Sequence, residues 1–292
     1  MHRFYIQPEK WNPDSLVLTG SEAHHARDVL RMKRRDKAVL FNGQGREITA
    51  EIVELARDEI RLRKLHETET PPLRCRITLG QAIPKGKNMD LIVQKAVEIG
   101  AAEISPIISE RTIVELDAKE AEQKQMKWQQ VAIEAAKQCG QNWLPRVHTP
   151  RKLKDFFADP VEAAVPGGKF PNALPLRTAV PTAFDLRLIG SLQSDAQHLK
   201  KILADYVNEP QSRNESPLPQ GDGRVRENLP EKKQRNLPSS VLMMVGPEGD
   251  FTPAELALAK SHGCRPITLG PIILRVETAA IYCLSILSYE LL

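Results

Sequence analysis

Two segments near the carboxyl end of this chain carry residue types that suit ligand chemistry. The first, Val245-Gly246-Pro247-Glu248-Gly249, follows the apolar run Val241–Met244 and precedes Thr252, Pro253 and Glu255. Glycines adopt backbone conformations that other residues avoid, and they let a ligand approach the main chain closely. Thr252 with Glu255 forms a capping box, and Pro253 suits the first position of a helix. The second segment ends a short strand at Leu269-Gly270-Pro271, then sets Arg275 and Glu277 before an apolar helix running to Leu292. An arginine and a carboxylate there can stabilise developing charge and assist a proton transfer, or simply pair with each other or with the helix dipole. An ordinary strand–turn–helix connection reads the same way, so neither segment alone names a ligand.

The elements that must hold these segments follow from periodicity. From Arg74 onward, strands predicted at Ile77–Gln81, Ile104–Ile108, Leu186–Ile189 and Val241–Val245 alternate with helices. One helix, capped by Asn88, puts Met89, Ile92, Val93, Ala96 and Val97 on one face and stops at Gly100. A longer one, capped by Asp117, aligns Trp128, Val131, Ala132, Ala135 and Cys139 before Gly140; a third runs around Ala196–Val207. Such alternation predicts an α/β fold whose parallel sheet is covered on both faces, with ligands at the carboxyl ends of the strands. Trp128, Met126 and Trp143 read as packing residues.

The first ~70 residues read differently, as a small β-rich unit. Phe4-Tyr5-Ile6 and Val39–Phe41 are strand-like, and the Asn42-Gly43-Gln44-Gly45 turn joins the latter to Ile48–Leu55. Ser21–Met32 reads as a short helix, and Thr70-Pro71-Pro72 as a domain boundary. Arg27, Arg31, Lys33, Arg34, Arg35 and Lys37 cluster here; they suit phosphate anchoring or an ordinary solvated surface equally. The adjacent His24 and His25 have no visible partner and read as surface or structural residues.

Two stretches lack periodicity. Pro166–Thr182 is rich in proline and glycine, and 208–240 is Pro-, Asn-, Gln- and charge-rich with few apolar residues. The latter buries too little to offset its ordering entropy and is expected to be a disordered insertion.

Composition excludes several classes. With 5% aromatic residues, nucleic-acid binding by rows of stacked rings is disfavoured, and the net charge of +4 is mild. The four cysteines are far apart without metal-ligand spacing, so no metal site and no disulfide framework are expected. No signal-peptide run and no membrane-length apolar stretch occur, which predicts a cytoplasmic protein without a membrane partner. Gly80–Asn88 approaches a phosphate-binding loop, but the first glycine is one position early and Asn88 replaces Ser or Thr, so that reading is rejected.

Taken together, GPEG and LGPIILRVETA are specific. Upstream, HRFYI, HHARDVLRMKRRD, FNGQG, LGQAIPKGKNMDLIVQKAVEIG, ISERTIV and WQQVAIEAAKQCGQNWLPRV follow in order. This ensemble, covering most of 1–150 and 240–290, resembles the RsmE family, the uridine-N3 methyltransferases of 16S ribosomal RNA. The resemblance implies a PUA-like RNA-binding β-barrel at 1–72. A SPOUT-type α/β domain with a trefoil knot then occupies 73–292 and carries the 208–240 insertion. It implies S-adenosylmethionine as cofactor, held by Ile189, Gly190, Leu192, Val245, Gly246, Pro247, Glu248, Gly249, Leu269, Gly270, Pro271, Ile273, Leu274, Arg275 and Thr278.

Under that resemblance Arg275 stabilises developing charge or orients RNA, and Glu277 or Glu248 orients the arginine or assists proton removal. Phosphate contacts are expected from Arg27, Arg31, Arg34, Lys85, Lys87 and Arg111. The partners implied are 16S ribosomal RNA within the small subunit and a second copy of the chain, with Ile281, Leu284, Leu287 and Leu291 offering an apolar face. Two departures from the family pattern stand out: Asp250 where a second glycine is usual, and Ile272 where an arginine is usual. Two other readings remain open, a non-catalytic RNA-binding or ribosome-assembly factor and a ribose 2′-O-methyltransferase of similar topology. Cofactor binding separates the first, and the position of the methyl in digested product separates the second.

Overall fold

The computed structural model describes residues 1–112, 116–158, 184–208 and 237–292. The Pro- and Gly-rich stretch at 166–182 lies outside the described residues, as does 209–236 of the expected insertion.

The amino-terminal sheet contains β1 (His2–Tyr5), β2 (Leu16–Thr19), β3 (Lys37–Phe41), β4 (Arg46–Leu55) and β5 (Glu59–Glu69) in the order β1-β3-β4-β5-β2. Only β1 and β3 are parallel. No ladder joins β1 to β2 among the described strands, so the barrel expected here is open in its hydrogen bonding. Period-two alternation turns Ile48, Ala50 and Ile52 of β4 inward against Phe4, Leu18, Leu40 and Ile60. The hairpin between β3 and β4 forms where expected. Asn42 Oδ1 accepts from the Gln44 and Arg46 amides at 2.8 and 3.1 Å, closing the turn. The single helix expected over 21–32 is instead α1 (Gly20–His24) followed by a π-helical turn at His25–Val29. There the Leu30 amide reaches back to the His25 carbonyl, and Arg31 at φ +52° ends the helix.

The larger sheet contains β6 (Arg76–Ala82), β7 (Glu103–Ile108), β8 (Arg146–Val147), β9 (Arg151–Lys152), β10 (Leu186–Gly190), β11 (Gln197–His198), β12 (Ser240–Val245) and β13 (Arg265–Thr268). Its order is β11-β13-β10-β12-β6-β7-β8, with β9 also on β7, and every described pairing is parallel. The helices are α2 (Asn88–Ile99), α3 (Ala118–Cys139), α4 (Leu153–Ala158), α5 (Leu199–Asn208), α6 (Pro253–Ser261) and α7 (Val276–Leu291). Alternation along β12 splits it between two cores. Val241, Met243 and Val245 join the side built by α2, α3, α5 and α7, whereas Leu242 and Met244 join the side built by α4 and α6.

Helix starts illustrate what local chemistry decides. Asp117 and Thr252 cap α3 and α6, each in a reciprocal box with the glutamate three residues on. Asn88 is not the cap expected. It is the first residue of α2, Lys87 stands at the cap without a side-chain bond, and Asn88 Nδ2 instead donates to Glu277 Oε2 at 3.3 Å. The apolar face offered for a subunit contact is also reassigned: Leu284, Leu287 and Leu291 are buried within the chain, where α7 packs on α2, β6 and β12. Trp128 packs as expected and donates to Asp90, but Met126 is 38% exposed.

The two sheets meet through a polar seam. Gly45 N donates to the Asn142 carbonyl at 2.9 Å and Leu144 N to the Gly43 carbonyl at 3.0 Å. Trp143 Nε1 and the Gly45 carbonyl both bond the Thr70 backbone, and Arg3 bridges Glu47 and Asn142 at 2.5 and 2.6 Å.

Candidate active site

The carboxyl ends of β10, β12 and β13 open into one cavity of about 320 Å³. This lies within the range of about 300–1,000 Å³ for small-molecule sites. The floor is apolar: Met243 and Val245 from β12, Ile267 from β13, and Val276, Ala279 and Cys283 from α7. The walls are three loops, Gly190–Leu192, Gly246–Asp250 and Leu269–Arg275. Two of their glycines hold left-handed backbone, Gly249 at φ +87° and Gly270 at φ +115°. A Cβ on Gly270 would meet nothing within 4 Å, so that stretch of backbone is open to an approaching molecule.

The sequence-expected lining residues gather here with three exceptions. Gly190, Leu192, Val245, Gly246, Pro247, Glu248, Gly249, Leu269, Gly270, Ile273, Leu274 and Arg275 border the cavity; Ile189, Pro271 and Thr278 do not. Ile189 is fully buried in the opposite core, and Pro271 and Thr278 face outward. Missed from sequence were Met243, Asp250, Ile267, Thr268, Val276, Ala279 and Cys283. Period two from Val245 points to Met243, and the spacing of Val276, Ala279 and Cys283 is one helical face. Asp250 gave no such signal, because its partners lie far away in sequence.

The charged residues around the mouth are held by backbone and amide groups. Glu248 accepts from the Lys85 amide at 3.2 Å, which draws the Lys85–Asn88 loop over the Gly246–Gly249 loop. Glu277 accepts from the side-chain amide of Asn88 at the start of α2, directly after that loop. Arg275 precedes the first residue of α7 in extended backbone and is exposed. The Arg111 guanidinium donates to the Gly249 carbonyl. Beside it, buried Glu255 accepts from the Glu110 amide at 2.9 Å and from Thr252 N at 2.9 Å, so the segment after β7 clasps the start of α6. Ile272 and Ile273, at 74% and 75% exposure, form an apolar lip.

The remaining candidates for phosphate contact lie on the small sheet's side. Arg31 and Arg34 are exposed. Arg27 makes a two-pronged ion pair with Asp28 at 2.6 and 2.8 Å, and its guanidinium holds that carboxyl down at about 2. His24 also pairs with Asp28, at 2.5 Å. Among the described residues, no group of His, Cys, Asp or Glu could hold a metal ion, and no helix is long and apolar enough to cross a membrane.

Residues 71–169 and 194–288 match the RNA methyltransferase domain, and residues 18–65 match the RNA methyltransferase PUA domain. The chain belongs to the RNA methyltransferase family. A methyltransferase of Legionella pneumophila solved with S-adenosylmethionine is 30% identical; the match covers 99% of this chain and 97% of that one, with a TM-score of 0.73. The Neisseria gonorrhoeae ribosomal RNA small subunit methyltransferase E, also bound to S-adenosylmethionine, is 28% identical over 99% and 98% of the two chains, with a TM-score of 0.71. The enzyme of that name from Bacillus subtilis is 28% identical over 99% of this chain and 97% of its own. The kinship with the RsmE family drawn from the sequence is borne out, as are the α/β parallel-sheet domain and the PUA-like domain before it.

Proposed function

We propose that this protein transfers a methyl group from S-adenosylmethionine to N3 of a uridine in 16S ribosomal RNA. The carrying observation is the cavity itself, which gathers the GPEG and LGPIILRVETA segments at the carboxyl ends of β12 and β13, the parallel strands on either side of β10. Its residues suit the cofactor: apolar walls accept adenine, and open backbone at Gly270 offers N–H and C=O groups to its polar edges. When bound, the cofactor supplies an electrophilic methyl on a sulfonium. The chain supplies in-line positioning, loss of the N3 proton and stabilisation of charge spreading onto the uracil carbonyls.

Arg275 is assigned the charge-stabilising role, since it borders the cavity and no other cation among the described residues lines it. Glu277, fixed by Asn88, and Glu248, fixed by the Lys85 amide, stand ready to accept the proton or to orient the arginine. Because N3 lies on the pairing edge, the uridine must be unpaired or flipped out. Lys85 and Lys87 at the mouth, with Arg31 and Arg34 on the small sheet, are assigned to RNA phosphates. The domain limits 1–72 and 73–292 are part of the same reading. So is the trefoil knot, which is supported by α7 leaving the end of β13 and crossing β10 to pack on β12, β6 and α2. A homodimer within this reading uses exposed Tyr282 and Tyr289 of α7, since the helix's opposite face is taken.

The test is methylation of small ribosomal subunits followed by digestion and location of the methyl. Base N3 is expected, and a ribose product would overturn the reading. Arg275→Ala should slow turnover on the order of a hundredfold with the fold intact; full turnover would remove the role assigned to it.

A further inference from the structure

Asp250 occupies a position that few side chains tolerate. Its φ is +72°, in the left-handed region, where a non-glycine residue is strained unless local bonds compensate. Asp and Asn are the usual exceptions, because a short carboxyl or amide can bond nearby backbone. Here both oxygens are used. Oδ1 accepts from the Phe251 amide at 2.8 Å, a local bond, and Oδ2 accepts from the Leu192 amide at 2.9 Å, 58 residues away. The first bond explains how the backbone is kept; the second joins the loop after β10 to the loop after β12.

These are two of the three walls of the cavity, and Asp250 itself borders it. The joint is tight. A Cβ on Gly246 would lie 3.3 Å from Asp250 Oδ1 and 3.2 Å from the Phe251 amide, so the loop closes around the carboxylate. Across the same loop, the Arg111 guanidinium holds the Gly249 carbonyl from the side of β7. With the Lys85 amide on Glu248, the Gly246–Asp250 loop is thus pinned at three points, and of these the Asp250 pin is the one that reaches the Gly190–Leu192 wall.

We propose that Asp250 is a positioning residue for the cofactor: its carboxylate latches the β10 loop to the β12 loop and so preforms the cavity. The proposal rests on the S-adenosylmethionine reading of that cavity. A preformed site binds more tightly because ordering of its walls is not charged against binding. Losing the latch leaves the Leu192 amide unpaired and the Gly190–Leu192 wall free to move.

Asp250→Gly is the informative variant, because glycine holds φ +72° without strain while the carboxylate is lost with the rest of the side chain. In the full chain, titration calorimetry with S-adenosylmethionine should show about tenfold weaker binding, the scale of a lost charge-assisted hydrogen bond. The KM for the cofactor should rise in step while kcat at saturating cofactor stays within about twofold, as expected when binding shared by ground and transition states is lost. Without ligand, hydrogen exchange at the Leu192 amide should quicken in the variant. Asp250→Asn, which keeps one acceptor oxygen, should fall between glycine and the unaltered chain. Unchanged affinity together with unchanged Leu192 exchange in Asp250→Gly overturns the latch. Absence of any binding by the unaltered chain sinks the cofactor reading instead, and the latch proposal with it.

Discussion

Cys75, Cys264 and Cys283 are buried, and burial pushes each thiol up to about 12 from an ordinary 9.0. Only the thiolate attacks a disulfide reagent, so these three should be inert at neutral pH even though Cys283 borders the cavity. Cys139, exposed at the end of α3, should react rapidly. One thiol of the four is therefore expected to label in the native protein and the other three only on unfolding. The sign of the linkage follows. Between pH 9 and 12 the unfolded chain has lost thiol protons that the fold retains, so stability should decline as pH climbs through that window. Rapid native labelling of Cys283, or a urea midpoint that stays flat across the window, would refute this account. Asp250 belongs to the same scale: it departs from the family pattern, yet its two backbone partners give it a structural reason to be there.

At the scale of elements, the turn Asn42–Gly45 does more than reverse β3 into β4. It enters the seam with the segment after α3, where Gly45 at φ +89° sits against Thr70 and Trp143. A Cβ there would lie 2.7 Å from both the Thr70 carbonyl oxygen and the Trp143 ring, in a conformation alanine resists. Gly45→Ala should cost on the order of 2 kcal/mol or more, read as a lower urea midpoint; an unchanged midpoint would show the seam to be slack. FNGQG and CGQNWLP were legible as a hairpin turn and a helix stop, but their mutual contact was not, because ~100 residues separate them and periodicity reports only neighbours. Capping boxes at Asp117 and Thr252 were legible for the converse reason, being closed within three residues. Asn88 misled because it is a good cap by type while its actual partner is Glu277. The order of the larger sheet, with β13 between β10 and β11, also lay beyond local signals; β6, β7, β10, β12 and β13 were placed to within a few residues, but the two-residue strands β8, β9 and β11 are too short to leave a period. The cavity was readable because glycine-rich loops mark strand ends. Its floor on α7 was missed because an apolar helix face announces burial, not what is buried against it.

At the scale of the whole molecule, the seam fixes the small basic face relative to the cavity mouth, so under the proposed function RNA held by one would be presented to the other at a set distance. Charge placement makes the cationic residues unequal. Arg27 is already engaged by both oxygens of Asp28, whereas Arg31 and Arg34 are exposed. A guanidinium with a committed carboxylate partner releases fewer counterions from a phosphate than one without. Each phosphate contact adds roughly 0.7–0.9 to the slope of log affinity against log salt. The double variant Arg31→Ala with Arg34→Ala should therefore flatten that slope by roughly 1.5, measured on a ribosomal RNA fragment between 50 and 200 mM salt as ordinary working bounds. Arg27→Ala should change it by much less, because a guanidinium already committed to Asp28 makes little phosphate contact to lose. Cofactor affinity should be the same in all three proteins, since none of these residues borders the cavity. Equal slopes for the two variants would mean that the Arg27–Asp28 pair opens on RNA. A double variant that keeps the full slope would move the phosphate contacts to Lys85 and Lys87 at the mouth, and leave the small basic face as solvated surface.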